Sequence, residues 1–236
     1  MTRRDVIKSG AGIAAILAAG RASAALVKSM LGARMMMVGK RLPYDAEVEY
    51  LESTGTQWID TSIVPTLYTK SEVVAKFTTV SGPQICGAYW SGVNNAFDIC
   101  GVANNSWFLR ALTSGSPNPS GWTADTNTHT FVSDAQTNTM SVDGVSVTRS
   151  AISIGTPVSI YLFARHERST GVAVTYPCQV KIYSVRFYDS NVLVRDFIPV
   201  RFTNELGQSE GAMYDRVSGT LFRNRGTGAF VIGPDK

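Results

Sequence analysis

Apolar and polar side chains alternate along residues 180–200, and the rest of the core is expected to pack on this segment. On one side of an extended chain lie Tyr183, Val185 and Phe187, with Ser184 and Arg186 on the other. A period of two is typical of a strand with one buried face. Residues 189–191 are Asp-Ser-Asn, whose short polar side chains favour turns. The segment therefore predicts a hairpin, with Pro199 marking an edge of the sheet or an exit from it.

A second hairpin is predicted at residues 139–148. Asp143 and Gly144 are the pair that a two-residue type I′ turn requires, because both central residues adopt positive φ. That turn pairs three sets of residues across the strands: Val142 with Val145, Met140 with Val147, and Ser141 with Ser146. One face is then apolar and the other polar, which is a consistent register.

Other segments of strand character alternate with clusters of Gly, Asn, Ser and Pro. We predict strands at residues 48–51, 57–61, 71–78, 85–90, 96–102, 106–112 and 159–164. The first two are expected to form a hairpin, and the last is expected to be central because it is continuously apolar. Residues 113–121 predict an exposed loop, and residues 215–219 predict a hairpin turn with Gly219 in the left-handed region. No helical period follows residue 45, so the predicted class is all-β, a sandwich or a barrel.

The first 24 residues have the features of an export signal. Residues 2–8 (TRRDVIK) resemble the twin-arginine motif, with Arg3 and Arg4 as the pair. A short apolar stretch follows, too short to span a bilayer stably, and then a small-residue cleavage signal from Ala22 to Ala24. The alternative is an amphipathic N-terminal helix, since Ala and Leu favour helices. We expect export by the twin-arginine route to the periplasm, the cell surface or the medium.

The rest of the chain divides into two parts. We predict that residues 25–44 form a linker or a loosely packed arm. Residues 45–236 are predicted to form one β-sandwich domain without a transmembrane segment. Two motifs carry a resemblance that spans this domain: VEYLESTGTQWIDT at residues 48–61, and KIYSVRFYDSNVLVRDFIPVR followed by MYDRVSGTLF near the end. They resemble the concanavalin A-like lectin/glucanase superfamily, most closely small secreted members from gut bacteria and their phages. The resemblance implies a two-sheet antiparallel jelly roll, but no activity, because a fold hosts many functions.

The charge distribution argues against nucleic acid as a partner. The chain has 22 Lys and Arg against 18 Asp and Glu, for a net charge of +4. Seven of the basic residues but only one acid, Asp5, lie in the first 40 residues, which leaves 15 basic and 17 acidic residues in the remainder. A nucleic-acid-binding domain needs clustered Lys and Arg on the domain itself. The excess of basic residues instead lies in the first 40 residues of the chain.

The candidate catalytic and metal-binding residues form no recognised motif. His129 and His166 lie outside any nucleophile or metal motif and are predicted to be surface residues. No cofactor is predicted, although three oxygen-bearing side chains offer ligands for Ca²⁺, namely Asp98, Asn104 and Asn105. The three cysteines are expected to be buried thiols, with a Cys86–Cys100 disulfide as the alternative if their strands are adjacent.

Glycoside hydrolysis is the one enzymatic alternative, because some members of the superfamily that the chain resembles are glucanases. That chemistry needs two carboxylates flanking the scissile bond. The run at residues 45–49 has acids at alternate positions, namely Asp45, Glu47 and Glu49, like the E-x-D-x-E run in laminarinase-type members. It differs from that run in the order of the acids and stands at the start of the domain. We interpret them as a charged edge strand that discourages edge-to-edge pairing.

Aromatic and amide side chains near predicted loops favour binding rather than catalysis. Aromatic rings present an apolar face that suits the C–H faces of sugars, and loops at the rim of a rigid sandwich carry contacts. The candidate ligand-binding residues are Tyr89, Trp90, Asn94, Asn104, Asn118 and Trp122. Trp58 is expected in the core and Trp122 at the surface. The prediction is a non-catalytic carbohydrate-binding or adhesion module; the alternative is a structural or protein-interaction protein of a cell surface or phage particle.

Replacing Arg3 and Arg4 together by lysine is expected to block export, because the twin-arginine route recognises the arginine pair rather than its charge. Cell fractionation measures export, and N-terminal sequencing of the mature protein tests cleavage after Ala24. Export that is unchanged in the double variant would favour the amphipathic-helix interpretation of the leader instead.

Overall fold

The described part of the chain is built of strands. A computed structural model describes residues 41–80, 85–90, 95–103, 106–112, 122–150, 156–168, 174–175 and 177–236, with the side chains of residues 100–103 not described. The strands are β1 (Ala46–Glu47), β2 (Leu51–Thr54), β3 (Ile59–Asp60), β4 (Thr69–Phe77), β5 (Cys86–Trp90), β6 (Asn95–Ala103), β7 (Ser106–Ala111), β8 (Thr128–Asp134), β9 (Thr139–Val142), β10 (Val145–Thr148), β11 (Tyr161–Leu162), β12 (Arg165–Arg168), β13 (Val174–Thr175), β14 (Gln179–Asp189), β15 (Val192–Thr203), β16 (Ser209–Asp215), β17 (Thr220–Arg223) and β18 (Val231–Ile232). No helix among these residues is long and apolar enough to cross a membrane.

The strands form two sheets. The first sheet has the order β10-β9-β8-β4-β14-β15-β16-β17, with β1 beside β15 and with β2 joining β14 to β18. The second has the order β13-β12-β5-β11-β3, with β6 beside β5 and β7 beside β6. The strand pairs are antiparallel except β5 with β12, which is parallel. The all-β class is therefore confirmed, and the predicted antiparallel pairing holds with this one exception.

One apolar core lies between the sheets. Strands of the first sheet contribute fully buried side chains such as Val73, Phe131 and Val185, and strands of the second contribute Phe97 and Leu162. A smaller cluster around Val200 and Phe202 lies apart from this core and is flanked by Tyr44 and Tyr214. Residues Pro43–Lys236 form one compact unit. Burial of one face of each sheet in a shared core makes this unit a β-sandwich.

Alternating burial explains why the long strands form where the sequence predicts them. In β4, every second residue is buried, and Val73, Ala75 and Phe77 are 0–1% exposed. β14 follows the same rule with one change of phase, because the register with β4 shifts between Ile182 and Ser184. Tyr183 is the extra residue of this β-bulge and is half-buried, so its predicted place beside Val185 and Phe187 on the buried side is wrong.

The predicted turns are present. The β9–β10 turn has φ of 49° at Asp143 and 82° at Gly144, and the register pairs Val145 with Val142 and Val147 with Met140, as predicted. The β14–β15 turn has positive φ at Ser190 and Asn191. Gly219, with φ of 70°, ends the turn before β17. One detail differs: β10 is an edge strand, and Val145 is 53% exposed rather than buried with its partner Val142.

The predicted first hairpin is wrong. β2 pairs with β14 and β18 in the first sheet, whereas β3 pairs with β11 in the second. The Gln57 side chain explains the separation, because its Oε1 accepts the Thr54 N–H at 2.8 Å and its Nε2 donates to the Ala229 carbonyl at 3.0 Å. These bonds stabilise a crossing between the sheets in place of a hairpin ladder.

Two further strand predictions hold in part. Residues 160–164 are buried and β11 is central in its sheet, but Phe163 has φ of 64° and separates β11 from β12. Pro199 is not on an edge, since β15 continues beside β16 to Thr203. It instead stands just past Phe197, where the pairing of β15 with β14 ends, and its carbonyl accepts the Val48 N–H at 3.0 Å.

Asp215 fixes the connection between β16 and β17. Its side chain is fully buried, and its Oδ1 accepts the N–H groups of Asp196 at 2.8 Å and Val217 at 3.1 Å. Its Oδ2 accepts the N–H of Ser218 at 3.2 Å. A carboxylate that accepts three backbone N–H groups organises the turn as a cap would.

Asp215→Ala is expected to lower the free energy of unfolding by about 3 kcal/mol, because it removes a fully buried carboxylate that accepts three backbone N–H groups. Asp215→Asn keeps one of the two acceptor oxygens and should cost less. Urea unfolding followed by tryptophan fluorescence measures the difference. Asp235→Ala removes a surface carboxylate paired with Arg201 and serves as the control, for which the midpoint should barely move. Equal midpoints for the Asp215 and Asp235 alanine variants would contradict the capping role.

Candidate functional site

The outer face of the second sheet carries a row of polar and aromatic residues that the register aligns across five strands. Neighbouring strands pair Asp60 with Tyr161, Tyr161 with Gly87, Gly87 with Asp98, and Asp98 with Arg110. Directly paired residues point to the same side of a sheet. The residues next to them in sequence, including Ile59, Leu162 and Phe97, are in the core, so this polar row is on the outer side.

An aromatic ladder stands on this outer face. The rings of Trp58 and Tyr161 stack with centroids 4.3 Å apart and an angle of 25° between planes. The rings of Tyr161 and His166 stack at 4.1 Å and 13°. Tyr161 in the middle is only 6% exposed, whereas Trp58 and His166 at the two ends are half-buried. The ladder therefore presents ring surface to solvent at its ends.

The segment after β17 holds the backbone of Trp58 in place. The Asn224 Oδ1 accepts the Trp58 N–H at 3.2 Å, and the Trp58 carbonyl accepts the Arg225 N–H at 2.8 Å. Gly226 makes this approach possible, because a Cβ there would overlap the Thr56 carbonyl oxygen and lie 2.9 Å from Trp58 Cδ1. Trp58 is thus positioned by the C-terminal part of the chain.

A cleft with a volume of about 490 Å³ lies beside the ladder. Its walls are β3 from the second sheet and β17 from the first, which are the outermost strands of their sheets in the strand orders above. Asp60 and Ser62 line one wall, while Thr220, Arg223 and Arg225 line the other. Burial raises the pKa of Tyr161, Asp60 raises it further and Arg225 opposes the rise. Asp60 and Arg225, which both line the cleft, therefore affect the pKa of the middle residue of the ladder.

A second group, the arginine cluster, lies further along the same face. It contains Tyr89, Asp98, Arg110, Arg165 and Glu167. Arg110 pairs with the fully buried carboxylate of Asp98, and Arg165 pairs with Glu167 at 2.8 Å. The guanidinium carbons of Arg165 and Arg110 lie 4.4 and 5.3 Å from the centre of the Tyr89 ring.

The structure brings only part of the predicted binding set together. Tyr89 and Trp90 are neighbours on β5, both half-buried, and the Arg168 guanidinium lies 5.4 Å from the Trp90 ring centre. Asn94, Asn104 and Asn118 lie outside the described residues. The predicted loop at residues 113–121 also lies outside them.

The expectations for two tryptophans are wrong. Trp122 is 1% exposed in the core, and its Nε1 donates to the Val145 carbonyl at 3.0 Å, so it is not a surface ligand contact. Trp58 is half-buried on the outer face instead of in the core. A signal for Trp58 was present in the sequence, because alternation along β3 puts it on the side opposite the apolar Ile59, together with Asp60.

The carboxylate row at the start of the domain does not converge on a shared partner. Thr203 Oγ1 donates to Asp45 at 2.7 Å, and Tyr44 Oη donates to Glu47 at 3.2 Å. Glu49 is exposed. β1 lies along β15, so the row flanks the first sheet, away from the aromatic ladder.

Within the described part of the chain, no group of three His, Cys, Asp or Glu side chains is arranged to hold a metal ion. Asp98, one of the oxygen ligands considered for Ca²⁺, pairs with Arg110 instead, and Asn104 and Asn105 lie outside the described residues. Cys86 and Cys178 are fully buried, as expected. β5 and β6 are adjacent, but the Cys100 side chain lies outside the description, so the disulfide alternative stays a prediction.

His129 is held between two carboxylates and is not a free surface residue. Its Nδ1 lies 2.6 Å from Asp143 Oδ2, and its Nε2 lies 2.8 Å from Asp125 Oδ1. Partial burial by itself lowers the pKa of His129, but the hydrogen bonds and charges of the two carboxylates outweigh it, so the net pKa is raised above 6.5. The charged ring joins the segment before β8 to the β9–β10 turn.

His166 behaves in the opposite way. Burial lowers its pKa below 6.5, against a smaller opposing effect of its hydrogen bond to the Ser159 carbonyl at 3.0 Å. A neutral imidazole that donates Nδ1–H to this carbonyl keeps Nε2 as an acceptor. His166 therefore ends the ladder as an uncharged ring near neutral pH.

Comparison with models of known protein families and with characterised proteins gave no match.

The two histidines predict a maximum of stability near pH 6.5. The contribution of His129, whose pKa is raised on folding, is complete below 6.5 and is lost as pH rises through its folded-state value. The unfolded chain binds more protons at His166 below 6.5, so stability also falls as pH decreases from there. Asp125 and Asp143, with lowered pKa, add a further loss below about pH 4.

Urea midpoints measured from pH 5 to pH 9 test this prediction. His129→Gln should remove the decline on the alkaline side, and His166→Gln should flatten the slope just below pH 6.5. A wild-type profile that keeps rising from pH 6.5 to pH 8 would contradict the imidazolium clamp at His129.

Proposed function

We propose that the protein is a non-catalytic carbohydrate-binding or adhesion module, and that its ligand contacts the outer face of the second sheet at the aromatic ladder. The observation that carries the proposal is the aromatic ladder itself, whose half-buried end at Trp58 is held by Asn224 and Arg225, two residues that line a polar cleft. Sugar rings have apolar C–H faces and polar rims, so they match an aromatic surface flanked by hydrogen-bonding groups.

The rigidity of the site supports binding. Trp58 is fixed by two backbone hydrogen bonds and by stacking on Tyr161, which itself stacks on His166. A platform held in place before the ligand arrives loses little conformational entropy when it binds. Aromatic side chains on loops would lose conformational entropy when a ligand orders them, and the aromatic residues of the ladder avoid this loss.

The arginine cluster supports the second candidate, a protein-interaction or structural role on a cell surface or phage particle. It is a compact group of charges beside Tyr89 and Trp90, and Tyr, Trp and Arg are the residues most enriched in protein–protein contacts. Its charges are already paired within the chain. That pairing favours a role in holding β12 against β5 and β6, which is why we place the ligand at the ladder.

Two further proposals complete this picture. We propose that the sandwich is a jelly roll of the concanavalin A-like type, supported by the two sheets and by the terminal motifs, which form β2–β3 and β14–β17. We also propose export by the twin-arginine route, supported by Arg3, Arg4 and the small residues from Ala22 to Ala24. A single site would bind on the order of micromolar to millimolar, so function on a surface would depend on multivalency.

Trp58→Ala is expected to weaken glycan binding by about tenfold, through lost stacking and buried area. The measurement is a glycan array with the mature domain, followed by calorimetry on the best ligand. Trp58→Phe keeps an aromatic ring and should retain part of the affinity.

Tyr68→Ala is the matched control, because Tyr68 is an aromatic residue that is 55% exposed and does not belong to the ladder. Its affinity should equal that of the wild type. Binding that survives Trp58→Ala but is lost in Trp90→Ala would move the site to the arginine cluster. An array without any bound glycan would favour the protein-interaction alternative.

A further inference from the structure

We propose that the cleft between β3 and β17 binds the anionic group of an acidic saccharide, a carboxylate or a sulfate, through the side chains of Arg225 and Arg223. The proposal rests on the function proposed above and names its ligand class, with the sugar ring at the aromatic ladder and the charged substituent in the cleft. The two regions are neighbours, because Asn224 and Arg225 both line the cleft and hold the backbone of Trp58.

The cleft carries a net positive charge. Its charged lining residues are Asp60 on one wall and Arg223 and Arg225 on the other, so two positive charges stand against one negative charge. The remaining lining residues, from Ser62 to Asn224, are uncharged. A cleft in which one sign of charge predominates concentrates ligands of the opposite sign. The cleft therefore favours an anionic group over a neutral one.

The two arginines of the cleft are not neutralised within the described part of the chain. Arginines elsewhere in it lie within 4.0 Å of a carboxylate, namely Arg110, Arg165, Arg186, Arg195, Arg201 and Arg216. Arg223 and Arg225 are exposed and form no such pair with a described residue. The Arg223 guanidinium lies 4.6 Å from the centre of the Phe202 ring, which leaves its charge in place because the ring has no net charge. Guanidinium groups without a carboxylate partner keep their paired N–H donors for the oxygens of an anion.

Hydroxyl groups on both walls add hydrogen-bond donors. Ser62 and Thr220 line the cleft and are exposed, and neither hydroxyl bonds to a described residue. A hydroxyl donates to the oxygens of an anion as readily as a backbone N–H does. Asp60 is the one group that opposes an anion, and the Ser62 N–H holds its Oδ1 at 2.8 Å. The cleft thus offers several donors against a single carboxylate.

The charges of the cleft reach the aromatic ladder. Asp60 lies directly opposite Tyr161 in the register of β3 and β11. The charge of Asp60 raises the pKa of Tyr161 and the charge of Arg225 lowers it, so both charges act on the same ring. A saccharide that stacks on the ladder therefore places a charged substituent within the field of the cleft.

Edge protection is the alternative use of these charges, because charged side chains on outermost strands prevent edge-to-edge pairing. It accounts for Asp60 on β3 and for Arg223 at the end of β17. Arg225 lies beyond the last residue of β17 and does not serve that purpose. Its side chain is therefore the sharpest test of anion binding.

The experiment is an array of two matched sets of oligosaccharides, probed with the mature protein. One set contains an oligouronate, its methyl ester and its carboxyl-reduced form, and the other contains a neutral oligosaccharide with and without sulfate. The acidic members should bind about tenfold more tightly than their neutral counterparts. Added NaCl should weaken the binding of the acidic members alone. The set that shows the preference identifies the anion as carboxylate or sulfate.

Three substitutions that preserve size should change this preference in different directions. Arg225→Gln should reduce the preference for acidic members about tenfold, and Arg223→Gln about threefold. Asp60→Asn should increase it about threefold, because it removes the opposing charge. Arg149→Gln is the control, since Arg149 is an exposed arginine that follows β10, at the opposite end of the first sheet from β17. Its preference should equal that of the wild type, and all variants should have wild-type urea midpoints.

Equal binding of acidic and neutral members, with binding still dependent on Trp58, would overturn this inference and leave the proposed function standing. A preference that survives both Arg225→Gln and Arg223→Gln would also overturn it, as would an equal loss in Arg149→Gln, because the overall charge of the chain would then explain the result. Absence of binding to any oligosaccharide would refute the proposed function and this inference together.

Discussion

The structure depends on keeping the apolar residues of β14 in the core along all of its length. β14 pairs with β4 over most of its residues, with β2 at its start and with β15 at its end. Val180, Ile182, Val185 and Phe187 are all fully buried, but two are at even and two at odd positions. A regular strand would turn one pair to solvent, because a shift of one residue reverses the face. The bulge at Tyr183 absorbs the extra residue and keeps both halves buried.

The same strand determines which residues reach the outer face of the second sheet. With the first sheet holding its apolar face inward through β14 and β4, the second sheet covers the core with Ile59, Leu162 and Phe97. The alternate positions of those short strands are then forced outward, and the register aligns Asp60, Tyr161, Gly87, Asp98 and Arg110 in one row. The candidate site is therefore a consequence of how the core is filled, and its rigidity comes from the sheet beneath it.

The charged side chains of the described residues differ in whether they are buried and paired within the chain. The buried Asp215 carboxylate accepts three backbone N–H groups, His129 is held by Asp125 and Asp143, and Arg110 is paired with Asp98. Buried charges need such partners because desolvation is costly. The charges of Asp60 and Arg225 face a cleft and are not paired with one another. That difference separates the charged groups that stabilise the fold from those that remain without an ion-pair partner in the described chain.

Local patterns along the chain were enough to predict the all-β class, the Asp143-Gly144 turn and the C-terminal hairpins. These follow from local causes, namely period-two alternation and residues that adopt positive φ. The assignment of β2 and β3 to different sheets could not be predicted in this way, because it depends on the bond from the Gln57 side chain to Ala229, far away in the chain. The tertiary structure also exchanged the expected places of Trp58 and Trp122. Trp122 fills the core and bonds to Val145, whereas Trp58 is held at the surface by Asn224 and Arg225. Contacts between residues this distant in sequence leave no periodic signal, so the site emerges only when the sheets pack.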